Sequence, residues 1–435
     1  MFETLKLIAV GASALYALYW FRHNECSRAL IFIFVLIYFR FVLASYHETT
    51  FPKVVGPFSI NALYSIMMIG LALFFINLKI FSYRSFTVFK VLIFLMLISA
   101  VINHTLGQSI PSIIKWLLAL EVMTLFLYAF IQDGPEKTTK ATVIAFIYPV
   151  AMQLISILTG TVKANESDGS ASYIGGFFHE AVFSVILFTG MVVGIMWLRH
   201  LKINFKQVAI FYMIFFLFLL VMVNYRTTLI SSLPILAFFA YEHYWKGNIA
   251  KKVLFMVLAL IAFSGLMLVN TDKMVERFSD IPTALEKSSE LMVAPQYYTR
   301  EQRRLFSGRI YLWNRYITRT NQGTAVQTII GHGMDSWREH FLLYAHNTFV
   351  SFYYELGYLG LVILIYIFAL MFRMIFSIRE KKVRTLLMGM TFSFMVLNLG
   401  TMPLWQIEGI FLFSFIFSIV YYYSIKHKLK PLYKR

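Results

Sequence analysis

Three stretches of this 435-residue chain carry the residue types that stabilise a charged leaving group and move a proton. Arg226 lies in Asn224-Tyr225-Arg226-Thr227-Thr228, which interrupts the apolar region 207–243. A charge at that depth is costly and faces the bundle interior or a wet cavity. Ser307-Gly308-Arg309 opens a second segment, in which Arg309 and Trp313 are four residues apart and share a helical face, with Tyr316 a further turn on. A guanidinium beside an aromatic platform suits a phosphate next to a sugar ring, because Arg offers planar bidentate donors to phosphate oxygens. Arg304 and Arg315 are further candidates for the same anion. In the third stretch, His346 is a candidate base near neutral pH, and Asn347 could orient it or a substrate hydroxyl. His179-Glu180, after the pair Gly175-Gly176, adds titratable groups, and His179 joins the substrate-binding candidates. The plainer readings are a helix cap for His346, snorkelling for Arg226 and an interfacial helix for the Arg309 segment.

The elements that must hold these residues are membrane spans. Mean hydropathy is +0.70, with 59% hydrophobic and 14% charged residues, far outside the soluble range. Apolar windows recur at 4–21, 29–45, 57–80, 86–103, 111–131, 141–160, 181–199, 207–224, 227–243, 253–270, 356–376, 386–403 and 409–424, each near the length that crosses about 30 Å of hydrocarbon. The expected fold is an all-α polytopic membrane protein with 12–13 transmembrane helices and one large, partly helical outer loop. No cleavable signal peptide is expected, since the first window lacks a small-residue cleavage site and another apolar run follows at once. The single Cys26 excludes an intramolecular disulfide and disfavours a cysteine-based metal cluster. Within the spans, Lys115 and Glu121 are six apart and need not pair, while Arg40, Lys90 and Arg373 are expected to snorkel.

Charge placement orients the bundle. The loops at 22–28, 79–85, 132–140, 199–206, 244–252 and 379–384, and the tail from Lys426, each hold two or more Lys or Arg, whereas the alternate loops hold almost none. Positive loops stay cytoplasmic, so the tail is expected inside and the long loop 271–345 outside. The chain then divides into a transmembrane bundle over 1–270, the loop 271–345, and C-terminal helices with a basic tail over 346–435. Much of the net charge of +18 serves topology and contact with anionic lipid. The ten Lys and Arg of the outer loop do not, and they fit a phosphate-bearing lipid or a charged glycan. Nucleic acid is a poor partner for such a loop. The Gly331-His332-Gly333 turn carries no nucleotide-binding signal, because no strand precedes it and no further glycine completes the pattern.

Taken in order, Arg226 in its Tyr-Arg-Thr-Thr context, Ser307-Gly308-Arg309 with Trp313, Gly331-His332-Gly333, and His346-Asn347 followed by Glu355, Gly357 and Gly360 resemble the O-antigen ligase and polysaccharide polymerase superfamily of bacterial inner membranes. The likeness covers chiefly 170–375; the preceding spans match in hydropathy alone. His179-Glu180-Ala181 departs from it, since many relatives have a Pro-Asn step there. The resemblance implies ten to fourteen spans, a periplasmic outer loop, and a glycan donor carried on undecaprenyl pyrophosphate. It also implies an inverting, metal-independent transfer with no cofactor.

Chemistry consistent with both lines is attack of an acceptor sugar hydroxyl on the anomeric carbon as the lipid diphosphate departs. Arg226 and Arg309 would meet the diphosphate, and His346 would take the proton or position the acceptor. A polymerase would extend a lipid-linked repeat unit of O-antigen, capsule or exopolysaccharide, with a chain-length regulator as a further partner. A ligase would deliver finished glycan to lipid A–core or another terminal acceptor. The Gly-Phe-Phe-His-Glu segment favours the polymerase, and the single dominant outer loop the ligase. A lipid-linked oligosaccharide flippase or transporter is the alternative of a different class. Internal repeats, common in such proteins, are not evident here.

Overall fold

The computed structural model describes residues 1–55, 58–76, 80, 82–164, 171–201, 205–244, 286, 291 and 293–429, and it is almost entirely helical. Among these residues ten helical stretches are long and apolar enough to cross a membrane. In chain order the α-helices are α1 Phe2–His23, α2 Arg28–Ser45, α3 His47–Thr50, α4 Ile60–Ala72, α5 Thr87–Ile102, α6 Leu106–Gln132, α7 Gly134–Ala145, α8 Ile147–Thr159, α9 Glu180–Leu198, α10 Phe205–Val223 and α11 Arg226–Tyr244. Beyond residue 293 come α12 Arg309–Asn321, α13 Ala325–Ile330, α14 Trp337–His340, α15 Thr348–Ser377, α16 Lys381–Gly400 and α17 Ile407–Leu429. Among the described residues, sheet is confined to two short antiparallel strand pairs, Lys53–Val55 with Phe58–Ser59 and Lys163–Ala164 with Ala171–Ser172.

Most expected spans fall on helices, with instructive differences. The window 57–80 yields a hairpin strand and then a helix of 13 residues, started by the Ser59 hydroxyl, which accepts from the Ala62 amide. At 1.5 Å per residue α4 is roughly 20 Å long, too short to cross alone. The window 141–160 covers parts of α7 and α8, which break at Phe146 because Pro149 has no N–H for the carbonyl four residues back. Residues 227–243 do form a helix, but Arg226, its Thr and Ser residues and Glu242 dilute its hydropathy, and it is not among the ten. The window 253–270 lies outside the described residues, as does most of 271–292.

The core is a central pack of α6, α9, α15 and α17. Phe89 of α5 and Phe394 of α16 meet Phe413 of α17 at centroid distances of 5.9 and 5.5 Å, and Phe126 of α6 meets Phe415 at 5.6 Å. Arg40 does not snorkel. Its Nε donates to Glu408 at 2.8 Å and its Nη1 to Asn61 at 3.0 Å, cross-linking α2, α17 and α4 in a mostly buried ion pair. Such a pair is weak as a source of stability, but removing one partner would leave the other charge stranded.

The feature that most shapes the site is the break in α15 at Gly357, where φ is 64° and ψ −161°. A break inside an apolar span exposes carbonyls that lipid cannot satisfy. Here the turn at 331–333 satisfies them: the His332 amide donates to Tyr354 O at 3.0 Å, and the Gly333 amide to Glu355 O at 2.9 Å. The approach is so close that a Cβ on Gly331 would run into the backbone of Glu355, and one on Gly357 into that of Ile329. Hydroxyls and an amide of α5 and α6 fasten the other side of this turn. Asn103 Nδ2 donates to Gly331 O at 2.9 Å, Ser109 to Met334 O at 3.1 Å and Ser112 to the Asp335 carboxylate at 2.5 Å. Glu355, fully buried, accepts from the Asp335 amide at 3.1 Å and from Ser351 at 3.0 Å.

Candidate functional site

Arg309 is the first residue of α12, following Gly308 in a left-handed conformation. Its Nη1 donates to Gly400 O at the end of α16, at 2.7 Å, and to Thr227 Oγ1 of α11 at 3.3 Å. Both acceptors are neutral, and among the described residues no carboxylate forms an ion pair with this half-buried guanidinium. A guanidinium held this way has further donors in its fork that suit the oxygens of an anion. Arg226, which opens α11 after the left-handed Asn224, donates through Nη2 to Ser307 Oγ at 2.6 Å, two residues before Arg309. The two candidate arginines are thus bracketed together by Thr227 and Ser307.

Trp313 lies one turn along α12 from Arg309, and its indole N–H donates to Ala345 O at 2.7 Å. This bond fixes the backbone next to His346, a residue held at φ 51°. The His346 ring packs on Tyr344 with centroids 4.0 Å apart, and its Nδ1 is buried without a hydrogen-bond partner. Burial above all, then the Arg309 charge and then His179, pull the His346 pKa down to about 3. With its pKa lowered that far the imidazole is neutral at pH 7 and a weaker base than the near-neutral one expected from sequence. An anion on Arg309 would offset the Arg309 charge and make His346 more basic.

Asn347 has a different role from the one expected. Its Oδ1 accepts from the Phe349 and Val350 amides at 2.9 and 3.1 Å, which makes it the N-cap of α15. Its Nδ2 donates to Leu399 O at 3.1 Å, so both ends of the amide are engaged in structure. His179 likewise caps a helix, with Nδ1 accepting from the Ala181 amide at 3.0 Å at the start of α9. It remains half-exposed and close enough to His346 to affect its charge.

The structure brings Arg226, Arg309, Trp313, His346, Asn347 and His179 to one region and sets two candidates apart. Arg304 is exposed, in the turn before α12. Arg315 lies on the opposite face of α12, its guanidinium 5.3 Å from the Phe341 ring centroid and 5.9 Å from that of Tyr311. On a 3.6-residue period, positions 309, 313, 316 and 320 share one face and 315, 318, 319 and 322 the other. Sequence reasoning missed the carbonyl of Gly400 and the hydroxyl of Thr227. Leu399, Gly400 and Thr401 together hold Asn347, Arg309 and Thr348. The one sequence signal for that wall is the Gly400-Thr401-Met402-Pro403 helix stop.

Two histidines make the fold sensitive to acid. His332, stacked on Tyr354 with centroids 4.6 Å apart, has its pKa lowered to about 4, mainly by burial and then by Arg319 and His340. Because both folded values lie below the unfolded value near 6.5, the unfolded chain binds more protons between them. Their contribution to stability is complete above about pH 6.5 and is lost as pH falls towards about 4 and then about 3. Thermal melts of the detergent-solubilised protein at pH 7 and pH 5 should show a clear drop. In a His332→Gln, His346→Gln double variant the drop should shrink, and an undiminished slope there would refute the assignment.

No family model matches the chain, and no curated protein matches it.

Proposed function

We propose that the chain is a membrane glycosyltransferase that uses a glycan linked to a polyprenyl diphosphate, in the manner implied by its resemblance to the O-antigen ligase and polysaccharide polymerase superfamily. The observation that carries the reading is the Arg309 guanidinium, held by a carbonyl and a hydroxyl rather than an acid, beside Arg226 and a neutral, half-buried histidine. An acceptor hydroxyl oxygen attacks the anomeric carbon, and the bond from that carbon to the phosphate oxygen breaks with its electron pair leaving on the diphosphate. Arg309 and Arg226 meet the charge that builds there, and the hydroxyl proton passes to the His346 imidazole. Burial is the larger cause of the low basicity of His346, and a diphosphate on Arg309 would offset only the smaller part that comes from the Arg309 charge. Trp313 holds the 345–346 backbone, and with it the base, in place.

In this reading the protein sits in a bacterial inner membrane with its C-terminus cytoplasmic and the 271–345 loop periplasmic. The donor is undecaprenyl-pyrophosphate-linked glycan, and the favoured activity is polymerisation of repeat units. The test is deletion of the gene in its native host, with the surface glycan resolved by gel. Collapse of the ladder to a single repeat unit on its acceptor supports the polymerase. Absence of glycan from the acceptor, with long chains left on the lipid carrier, identifies a ligase. An unchanged glycan, in a strain checked for a second copy, would overturn the transferase reading in favour of transport.

A further inference from the structure

The face of α12 turned away from Arg309 lines an open groove of about 410 Å³, shared with Thr318, Gln322, His340 and Phe341. Its cations are Arg315 and Arg319, and no acidic side chain lines it. Among the described residues neither arginine forms an ion pair with a carboxylate. Arg315 lies between the Tyr311 and Phe341 rings, and Arg319 Nη2 bonds His340 Nε2 at 2.9 Å, so both forks are oriented by ring side chains rather than by carboxylates. A stacked guanidinium keeps its in-plane N–H donors available for a planar anion.

The groove is also tied to the reaction centre. Phe341, part of its wall, stacks on the buried Tyr316 at 3.9 Å, and the Tyr316 hydroxyl donates to Leu343 O at 2.9 Å. Trp313, one turn back, holds Ala345 O. Residues 340–346 therefore run from the groove to His346 along one helix, and six residues of extended chain span at most roughly 20 Å. A polymer whose reacting end lies at Arg309 and His346 can reach the groove with residues further along its length.

From this we infer that the groove is a second subsite, for the carboxylate-bearing sugars of an acidic glycan, several residues from the reacting end. The inference rests on the function proposed above and narrows its substrate class to acidic glycans. Arg315 and Arg319 pair with the carboxylates, while Thr318 and Gln322 offer hydrogen bonds to hydroxyls.

The test uses the full chain in nanodiscs of neutral lipid, titrated calorimetrically with a short oligogalacturonate and with a maltooligosaccharide of equal length. The acidic oligomer should bind at least roughly tenfold more tightly, and an Arg315→Gln, Arg319→Gln double variant should lose roughly tenfold of that affinity. A control pair at an exposed basic site, Lys381→Gln with Lys382→Gln, should retain it. The inference is overturned if neither oligomer binds, if both bind alike, or if the control pair loses as much as the groove variant. Arg309→Gln in the host strain separates the two failures. If it leaves the surface glycan unchanged, the transferase reading falls with the groove; if it abolishes the glycan while the oligogalacturonate does not bind, the groove alone falls.

Discussion

Replacing Arg309 by Gln is expected to lower the proposed glycan transfer by roughly two to three orders of magnitude, the range seen when one oriented donor to a developing anion is removed. Gln can keep a hydrogen bond to Gly400 O or Thr227, so the loss would report the missing charge more than a collapsed wall. Lys in its place should recover little, because a single ammonium cannot hold the Gly400 carbonyl and offer a planar fork at once. The rate is measured in membranes with lipid-linked glycan extracted from the native host, at matched protein levels. A second readout follows from electrostatics. Without the Arg309 charge, one of the causes that depress His346 disappears, so its pKa should rise from about 3. Titration of that imidazole by NMR in Arg309→Gln should show the upward move. If transfer persists at the wild-type rate, Arg309 does not meet the leaving group.

Gly331→Ala should be the most damaging single-methyl change in the described chain. The residue has φ 76° and ψ −170°, which a side chain adopts only under strain, and the added methyl would meet the Glu355 and Leu356 backbone. Strain and overpacking together amount to roughly 3 kcal/mol or more, a large part of the stability of an ordinary domain. The methyl would also push His332 and Gly333 off the carbonyls of Tyr354 and Glu355, leaving a broken span unsatisfied in hydrocarbon. Poor yield and a much lower melting temperature in detergent are expected. Gly70→Ala is the matched control, because a Cβ there meets nothing within 4 Å. Equal melting of the two variants would show that the turn does not brace the break.

Much of this architecture was legible in the sequence because burial in lipid leaves a simple mark. The windows 29–45 and 181–199 correspond to Arg28–Ser45 and Glu180–Leu198 almost residue for residue, since an uninterrupted apolar run has no other stable state there. Where the chain is held by local hydrogen bonding the mark fades, as in the window 57–80, which hides a hairpin strand before α4; the window 141–160 does fall on one long apolar stretch, Gly134–Thr159, in spite of the break at Phe146. The shared face of Arg309 and Trp313 was readable from helical spacing, and both side chains do reach structural partners on the same side of the loop. The capping role of Asn347 was not legible, because a cap and a catalytic amide share one residue type; it shows only in the bonds to Phe349, Val350 and Leu399. The low basicity of His346 was not legible for a related reason. Burial lowers it first and the charges of residues 309 and 179 after that, and the order of the chain reveals neither.

The Gly400 carbonyl that holds Arg309 stands 91 positions later in the chain. Synthesis runs from the N-terminus, so a growing polypeptide contains Arg226, Arg309, Trp313 and His346 well before the wall that orients them exists. Until the end of α16 has been made and packed against α11, the guanidinium has no carbonyl to fix its direction. The site is therefore completed late in biosynthesis. A chain stopped short of residue 400 would keep every candidate side chain and still lack the geometry that makes them a site.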